Sequence, residues 1–495
     1  MIYWFFGMAA VYILLVFVRL LARPRPTTVA EFFSFGASSN KNSLRDAFFV
    51  TNASFATAFV TLFLYAGTLG YISIVTPLAF FAGSLFFAYF MLKKAFPLIT
   101  SGRKYPQLLG ESASSRLVRV IASSYVLVSL WLFTYVELQG FLAFARYGGG
   151  VAGNSAMPYL LMIPILLFMG VYTARSGFSG VISSDSTQKS IIVVGAISFL
   201  FLAIIAGYSA IQDENLRENV DKIFPPMNGS KNLPIVVEAF TGFLFAQILY
   251  YDNWQRIGAY SKLRRTEGAR DELLYVEVKS AYIQGSWWLL LLYLVPVALG
   301  FAATISGSAI TDASSLVSYL ERIWSHSILN KILLCFCFLY LSAALISTIE
   351  VYVVSIVNNI VDDIGGLISN NDESETSNQS VLGIAQFLAI GISLSFLPAL
   401  FFEPDFQVMF TYLFFSANGF VGPILFLCLG WKPKSWAILA SLGFCATWPA
   451  LSPMLPEGIQ NFGMPGLLTV LVSVLVCAIG SRRDLKTNSL EPQSK

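Results

Sequence analysis

Apolar runs of roughly 18 to 25 residues recur along the 495-residue chain, and that is the length a helix needs to cross a bilayer. They fix the fold class. Charged residues make up 12% of the chain, about half the share of a soluble globular protein. Mean hydropathy is +0.69 and aromatics reach 15%. The chain reads as an all-α polytopic membrane protein, and no soluble domain longer than about 30 residues can be cut from it. The spacing predicts thirteen spans: Ile2 to Leu21, then 47–67, 73–93, 119–142, 157–174, 186–209, 234–252, 281–305, 328–359, 380–402, 406–430, 436–453 and 463–481.

No charge precedes the first span, while Arg19, Arg23 and Arg25 follow it. A signal peptide has the reverse polarity, so this is read as a retained helix with its N-terminus outside. Alternating from there, the inside loops carry 25 Lys/Arg and the outside loops 6, which places the C-terminus inside. The inside loop Asp362 to Ser380 departs from this pattern, with no Lys or Arg and with Asp372, Glu373 and Glu375. Acidic residues contribute little to orientation. Of the outside loops, Gln212 to Leu233 reads as an irregular cap, and Ser306 to Ser327 as a short surface helix after Ser/Thr/Asp caps.

Cys335, Cys337, Cys428, Cys445 and Cys477 all fall within apolar spans and read as packing residues, not as disulfides or zinc ligands. The single histidine, His326, lies in a loop. That argues against His-based acid–base catalysis and haem or transition-metal ligation, and with few buried carboxylates the chain is not read as an enzyme.

Four stretches put polar groups where lipid cannot pair them. Leu341 to Ile360 (LSAALISTIEVYVVSIVNNI) carries Ser342, Ser347, Thr348, Glu350 and Ser355. An ionisable residue in a spanning helix is a functional candidate by default. Ala344, Ser347 and Thr348 share one face at i, i+3 and i+4, and offer hard oxygens of the kind a small cation accepts. Equally, Ser and Thr bond back to their own helix or join two helices.

The second span opens FFVTNASFATAFVT. Asn52 and Ser54 cannot share a helical face, which points to an interruption that frees carbonyls for a cation. Packing of helices through small polar residues is the other reading. In GFSGVISSDSTQKS, Gly177 and Gly180 permit a tight turn before Asp185, which is either a helix cap or a group that tunes a cation. In GFLFAQILYYDNWQRIGAYSKLRR, Tyr251 and Trp254 suit an interfacial belt, whereas Gln247 lies too deep for anchoring. Glu137 (TYVELQG) is likewise unexplained by anchoring.

Together these stretches resemble the sodium/solute symporter family, which includes proline, pantothenate and sugar symporters. GFSGVISSDSTQKS is similar to that family's GG-x-x-A-V-x-W-T-D-x-x-Q signature, with Asp185 and Gln188 in register. DNWQRIGAYSKL resembles Q-R-Y-x-A-A-K-S, STIEVYVVS resembles S-T-x-D-S, and KYPQLLGESASSRLVR resembles P-E-F-L-G-x-R-Y-x-S. The matches keep the family's order from about Glu31 to Trp431.

The resemblance implies a LeuT-like core of five plus five inverted-repeat helices over 45–430. Around it lie an extra N-terminal helix (1–22), two further C-terminal helices (431–481) and a short tail inside (482–495). It implies Na⁺-coupled symport of a small organic solute, an amino acid or similar polar metabolite, with Na⁺ as co-transported ion and no organic cofactor. Sodium would be held by the carbonyls of Val50, Ala53 and Ala344 and the hydroxyls of Ser347 and Thr348, with Asp185 nearby. Asn52, Ser54 and Gln247 would contact the solute; Glu350, Glu137, Gln255 and Arg256 are further candidates.

Glu350 stands where the family usually has Asp, and V-I-S-S replaces A-V-x-W in the signature. A proton-coupled carrier using Glu350 or Asp185 is the closer alternative. A transporter-like sensor is the other, and with a tail of only 482–495 it needs a separate signalling partner. The expected partners are the solute and the bilayer, with no nucleic acid. The expected location is a bacterial inner (plasma) membrane, and no motif specifies the solute or an oligomeric state.

Overall fold

In lipid every backbone polar group must be paired inside the chain, so helices carry the fold. The computed structural model describes residues 1–21, 25–36, 40–147, 157–210, 216–224, 229–365, 375–399, 401, 416–451 and 465–483. Among them six helical runs are long and apolar enough to cross a membrane. Two of these, Phe55–Ile99 and Met162–Ala210, hold 45 and 49 residues. That is about twice what one crossing takes, and both bend along their length.

The chain starts with α1 (Ile2–Leu21) and a single helical turn, α2 (Val29–Phe32). Next comes α3 (Lys41–Asn52), interrupted at Ala53 and Ser54, then a π-helical turn (Phe55–Val60) leading into α4 (Thr61–Leu69). A second composite run follows: α5 (Val75–Phe86), a π turn and α6 (Leu92–Ile99). After α7 (Tyr105–Ser112), the long α8 (Arg116–Tyr147) and α9 (Met157–Ala210) cross the molecule.

Two short segments, α10 (Leu216–Ile223) and α11 (Gly229–Leu244), precede the second interrupted helix, formed by α12 (Ala246–Leu249) and α13 (Tyr251–Thr266). Then come α14 (Asp271–Ile305), the surface helix α15 (Ala313–His326), α16 (Ile328–Asn358) and α17 (Glu375–Ala399). The described chain ends with α18 (Val421–Cys428), α19 (Ser435–Leu451) and α20 (Pro465–Gly480). A two-stranded antiparallel ribbon pairs Lys432 with Arg482.

The stretch 177–190 differs from the sequence reading. Only Gly177 leaves helical geometry, at φ 58°, and the helix resumes at once. Phe32 explains the glycine: a Cβ there would lie 2.3 Å from its carbonyl oxygen. Asp185 is therefore not a helix cap but sits about two turns inside a helix, fully buried. The segment Gln212 to Leu233, read as an irregular cap, contains helix α10; its 212–215 and 225–228 lie outside the described residues, as do 366–374 of the acidic loop, 406–415 of the eleventh span and the tail from 484.

α16 packs against α9, α8, α3 and α1, so it lies at the centre of the bundle. From Tyr340 to Val351 every residue is buried. α14 supports both halves of the first interrupted helix, and α8 packs on its π turn.

Candidate functional site

The first break follows from the chain's own chemistry. Within α3, Asn52 folds its amide back onto the carbonyl of Phe48 at 2.8 Å and Thr51 its hydroxyl onto Ala47 at 2.9 Å. Such back-bonds compete with helix propagation. Ala53 then turns off the helix and Ser54 is extended (φ −66°, ψ 153°). The Tyr293 hydroxyl donates to the Asn52 carbonyl at 2.6 Å, holding one of the freed acceptors.

Across the break lies the polar face of α16. The Ser347 and Thr348 hydroxyls donate to their own Ala344 carbonyl, at 3.0 and 2.9 Å. The back-bonding expected of Ser and Thr in membrane helices therefore occurs. Each hydroxyl also faces a carbonyl on α3: Ser347 is 3.4 Å from Val50 O, and Thr348 is 3.5 Å from Thr51 O. Five hard oxygens, the two hydroxyls and the carbonyls of Val50, Thr51 and Ala344, therefore lie within 2.9–3.5 Å of one another in these pairs. The site thus unites Val50, Ala344, Ser347 and Thr348 from the sequence-based set. Ala53 follows at the break itself, and Thr51 O joins although the sequence reading did not include it.

Beside this face is a buried acidic pair. Glu350 Oε1 accepts from Gln188 Nε2 at 2.7 Å and from Ser184 at 3.2 Å. Glu350 Oε2 and both oxygens of Asp185 have no hydrogen-bond partner among the described residues. Asp185 lies within electrostatic reach of Glu350 and of the Arg256 guanidinium. Tyr12, buried on α1, shares that neighbourhood. Its helix was read as an accessory span, and nothing local in the sequence marks it as part of the cluster.

The second break, at Tyr250 (φ −70°, ψ 113°), closes on itself. Asn253 Nδ2 donates to the carbonyl and the side-chain Oε1 of Gln247, both at 2.9 Å, and Trp254 Nε1 donates to Ile248 O at 2.8 Å. Gln247 Nε2 is buried with no hydrogen-bond partner among the described residues, which leaves its two N–H donors free. Trp254, read as an interfacial belt residue, is buried. Gln255 accepts from Ser355 at 2.9 Å, tying α13 to α16. Arg256, fully buried, donates to Thr51 Oγ1 at 2.6 Å and to Asp252 at 3.1 Å, tying the two broken helices together.

Ser54 bonds Thr57, within its own loop. Glu137 reaches the same loop from α8: its Oε2 accepts the N–H groups of Phe55 (2.9 Å) and Ala56 (2.8 Å), and its Oε1 accepts the N–H (2.9 Å) and hydroxyl (2.6 Å) of Thr57. Gly140 makes this reach possible, since a Cβ there would come within 2.4 Å of the Ala56 Cβ.

On the Lys41 side of the break, ion pairs join the helices. Lys189 meets Asp46 at 2.8 Å, Arg45 meets it at 2.8 Å, and Lys104 pairs with Asp362 and donates to Asn358 at 2.9 Å.

No family model matches this sequence, and no curated protein does. Solved structures do. A Na⁺-coupled sialic acid symporter in a substrate-bound, outward-open state is 17% identical over 97% of this chain and 98% of its own, with a TM-score of 0.69. MHP1, a nucleobase-cation-symport-1 family transporter in a closed conformation with bromovinylhydantoin bound, is 14% identical over 92% of this chain and 94% of its own, with a TM-score of 0.52. At such identities the likeness shows the fold. It is the LeuT fold, in an integral membrane protein.

Proposed function

We propose that this chain is a secondary active transporter that carries Na⁺ together with a small organic solute by alternating access. One observation carries the reading: two hydroxyls on α16 face two carbonyls on α3 where a membrane helix is broken, so hard oxygens from both helices gather at the break. The fold and its neighbours support it. Sodium would join α3 to α16, with Val50, Thr51, Ala53 and Ala344 supplying carbonyls and Ser347 and Thr348 hydroxyls. Asn52, Ser54 and the free amide of Gln247 lie at the two breaks, where a solute would be held.

In this reading 45–430 form the transport core, and 1–22, 431–481 and 482–495 are additions to it. The charge bias supports an outside N-terminus and an inside C-terminus. The Lys189–Asp46 and Lys104–Asp362 pairs then lie on the inside and hold that side closed until they part. Each Na⁺ entering draws on roughly 2.3 kcal/mol per 100 mV of membrane potential. Sodium and solute raise each other's affinity by the same factor.

Thermal unfolding in NaCl against choline chloride tests the ion site, because a ligand that binds only the folded state raises Tm. Wild type should gain stability with Na⁺ and Thr348→Ala should not. Equal gains in both would remove the site. The buried carboxylates of Asp185 and Glu350, with three oxygens unpartnered among the described residues, favour proton coupling as a second reading. Solute uptake that persists in choline and collapses with the pH gradient would establish it instead.

A further inference from the structure

The N-terminal end of a half-helix in a broken membrane helix carries about half a positive charge and several unpaired N–H groups, and commonly holds an anionic group of the solute. Here that end is the run Phe55–Leu69, whose first three N–H groups meet the buried Glu137. We propose that this seat is permanently filled by the chain's own carboxylate, Glu137, and that Glu137 thereby makes the transporter select solutes that bring no carboxylate to the break. The inference rests on the transport reading above and narrows its substrate class to neutral or cationic molecules.

Glu137 is fully buried and comes from a helix 80 residues away in sequence. Its two oxygens take three backbone N–H donors and one hydroxyl. A carboxylate offers about four lone-pair directions, so all are used. Three of its four partners are N–H groups, which only donate, so both oxygens are engaged as acceptors. Glu137 engages the first three N–H groups of the half-helix and leaves only that of Ala58 before the first bond to the Ser54 carbonyl, from Phe59 at 3.3 Å.

A solute carboxylate at this end would set its lone pairs against the acceptor oxygens of Glu137. Tyr293, Tyr340 and Tyr352 lie within electrostatic reach of Glu137, and among the described residues no Lys or Arg is a hydrogen-bond or ion-pair partner of it. The free N–H donors of Gln247 Nε2, at the second break, suit an acceptor oxygen such as the carbonyl of an amide or ureide.

Two arms test this on the purified full-length chain. In the first, unfolding is followed with and without propionate, as choline salts, for wild type, Glu137→Gln and Glu137→Ala. Propionate should raise the Tm of Glu137→Ala by several degrees, or be required to recover that variant folded, and should leave wild type and Glu137→Gln unmoved. No propionate effect on Glu137→Ala, including failure to fold with and without it, overturns the proposal, as does equal stabilisation of wild type.

The second arm compares wild-type binding of matched solutes that differ only as carboxylate and carboxamide. Solutes that bind should lose less than about tenfold on amidation, whereas a loss of about a hundredfold or more places a carboxylate in the seat and overturns the proposal. Neither Na⁺ nor transport enters the first arm, so its success beside absent Na⁺-coupled current would fault the transport reading alone.

Discussion

The two broken helices solve one problem in opposite ways. At Tyr250 the chain closes its own break, with Asn253 and Trp254 reaching back six residues to the carbonyls they free. At Ala53–Ser54 closure is borrowed: Glu137 supplies the acceptors, Tyr293 holds a carbonyl, and Ser347 and Thr348 face the rest from nearly 300 residues away. A break closed locally is stable whatever the neighbouring helices do. A break closed from a distance changes when those helices move, so the first break is the place where ion binding and conformation can be coupled.

The largest expected effect comes from removing the borrowed cap. Glu137→Ala leaves three buried N–H groups unpaired and should cost about 3 kcal/mol or more of stability, read by thermal unfolding. Gly140→Ala should cost about 1–3 kcal/mol by pressing α8 off the break, with Na⁺ affinity falling as the carbonyls shift. An intact Tm in this variant would mean the close approach is not required. Thr348→Ala should keep the fold and weaken Na⁺ at least about tenfold in a titration of thermal stabilisation. Trp254→Phe removes one hydrogen bond from the local break, so about 1 kcal/mol of stability should go with Na⁺ affinity unchanged. If Na⁺ affinity follows Trp254 as closely as Thr348, the two breaks are not distinct.

What could be read in sequence divides along the same line. Apolar length announces the helices, and Asn52 with Ser54 announces the first break, because both are local signals. The second break is hidden in AQILYYDN, whose apolar residues and tyrosines read as an ordinary span end; the signal was Asn253, a side chain able to bond six residues back. Asp185 was placed after a turn because two glycines preceded it, yet only Gly177 turns, under pressure from Phe32. Glu137 stood out as a carboxylate in an apolar run, but its partners lie 80 residues away and no spacing rule links them. The Ser347–Thr348 face was legible by helical period, while Thr51 O, a backbone atom, was visible only once the two helices were set side by side.

Electrogenic current from proteoliposomes on a solid support tests the central claim most directly. Amino acids, amides, ureides, monocarboxylates, vitamins and sugars are each applied with Na⁺ or with choline in its place. The account expects a current that requires both Na⁺ and one class of neutral or cationic solute, and that Thr348→Ala reduces sharply. A current that persists in choline, or none with any solute in protein that still binds Na⁺, would contradict it.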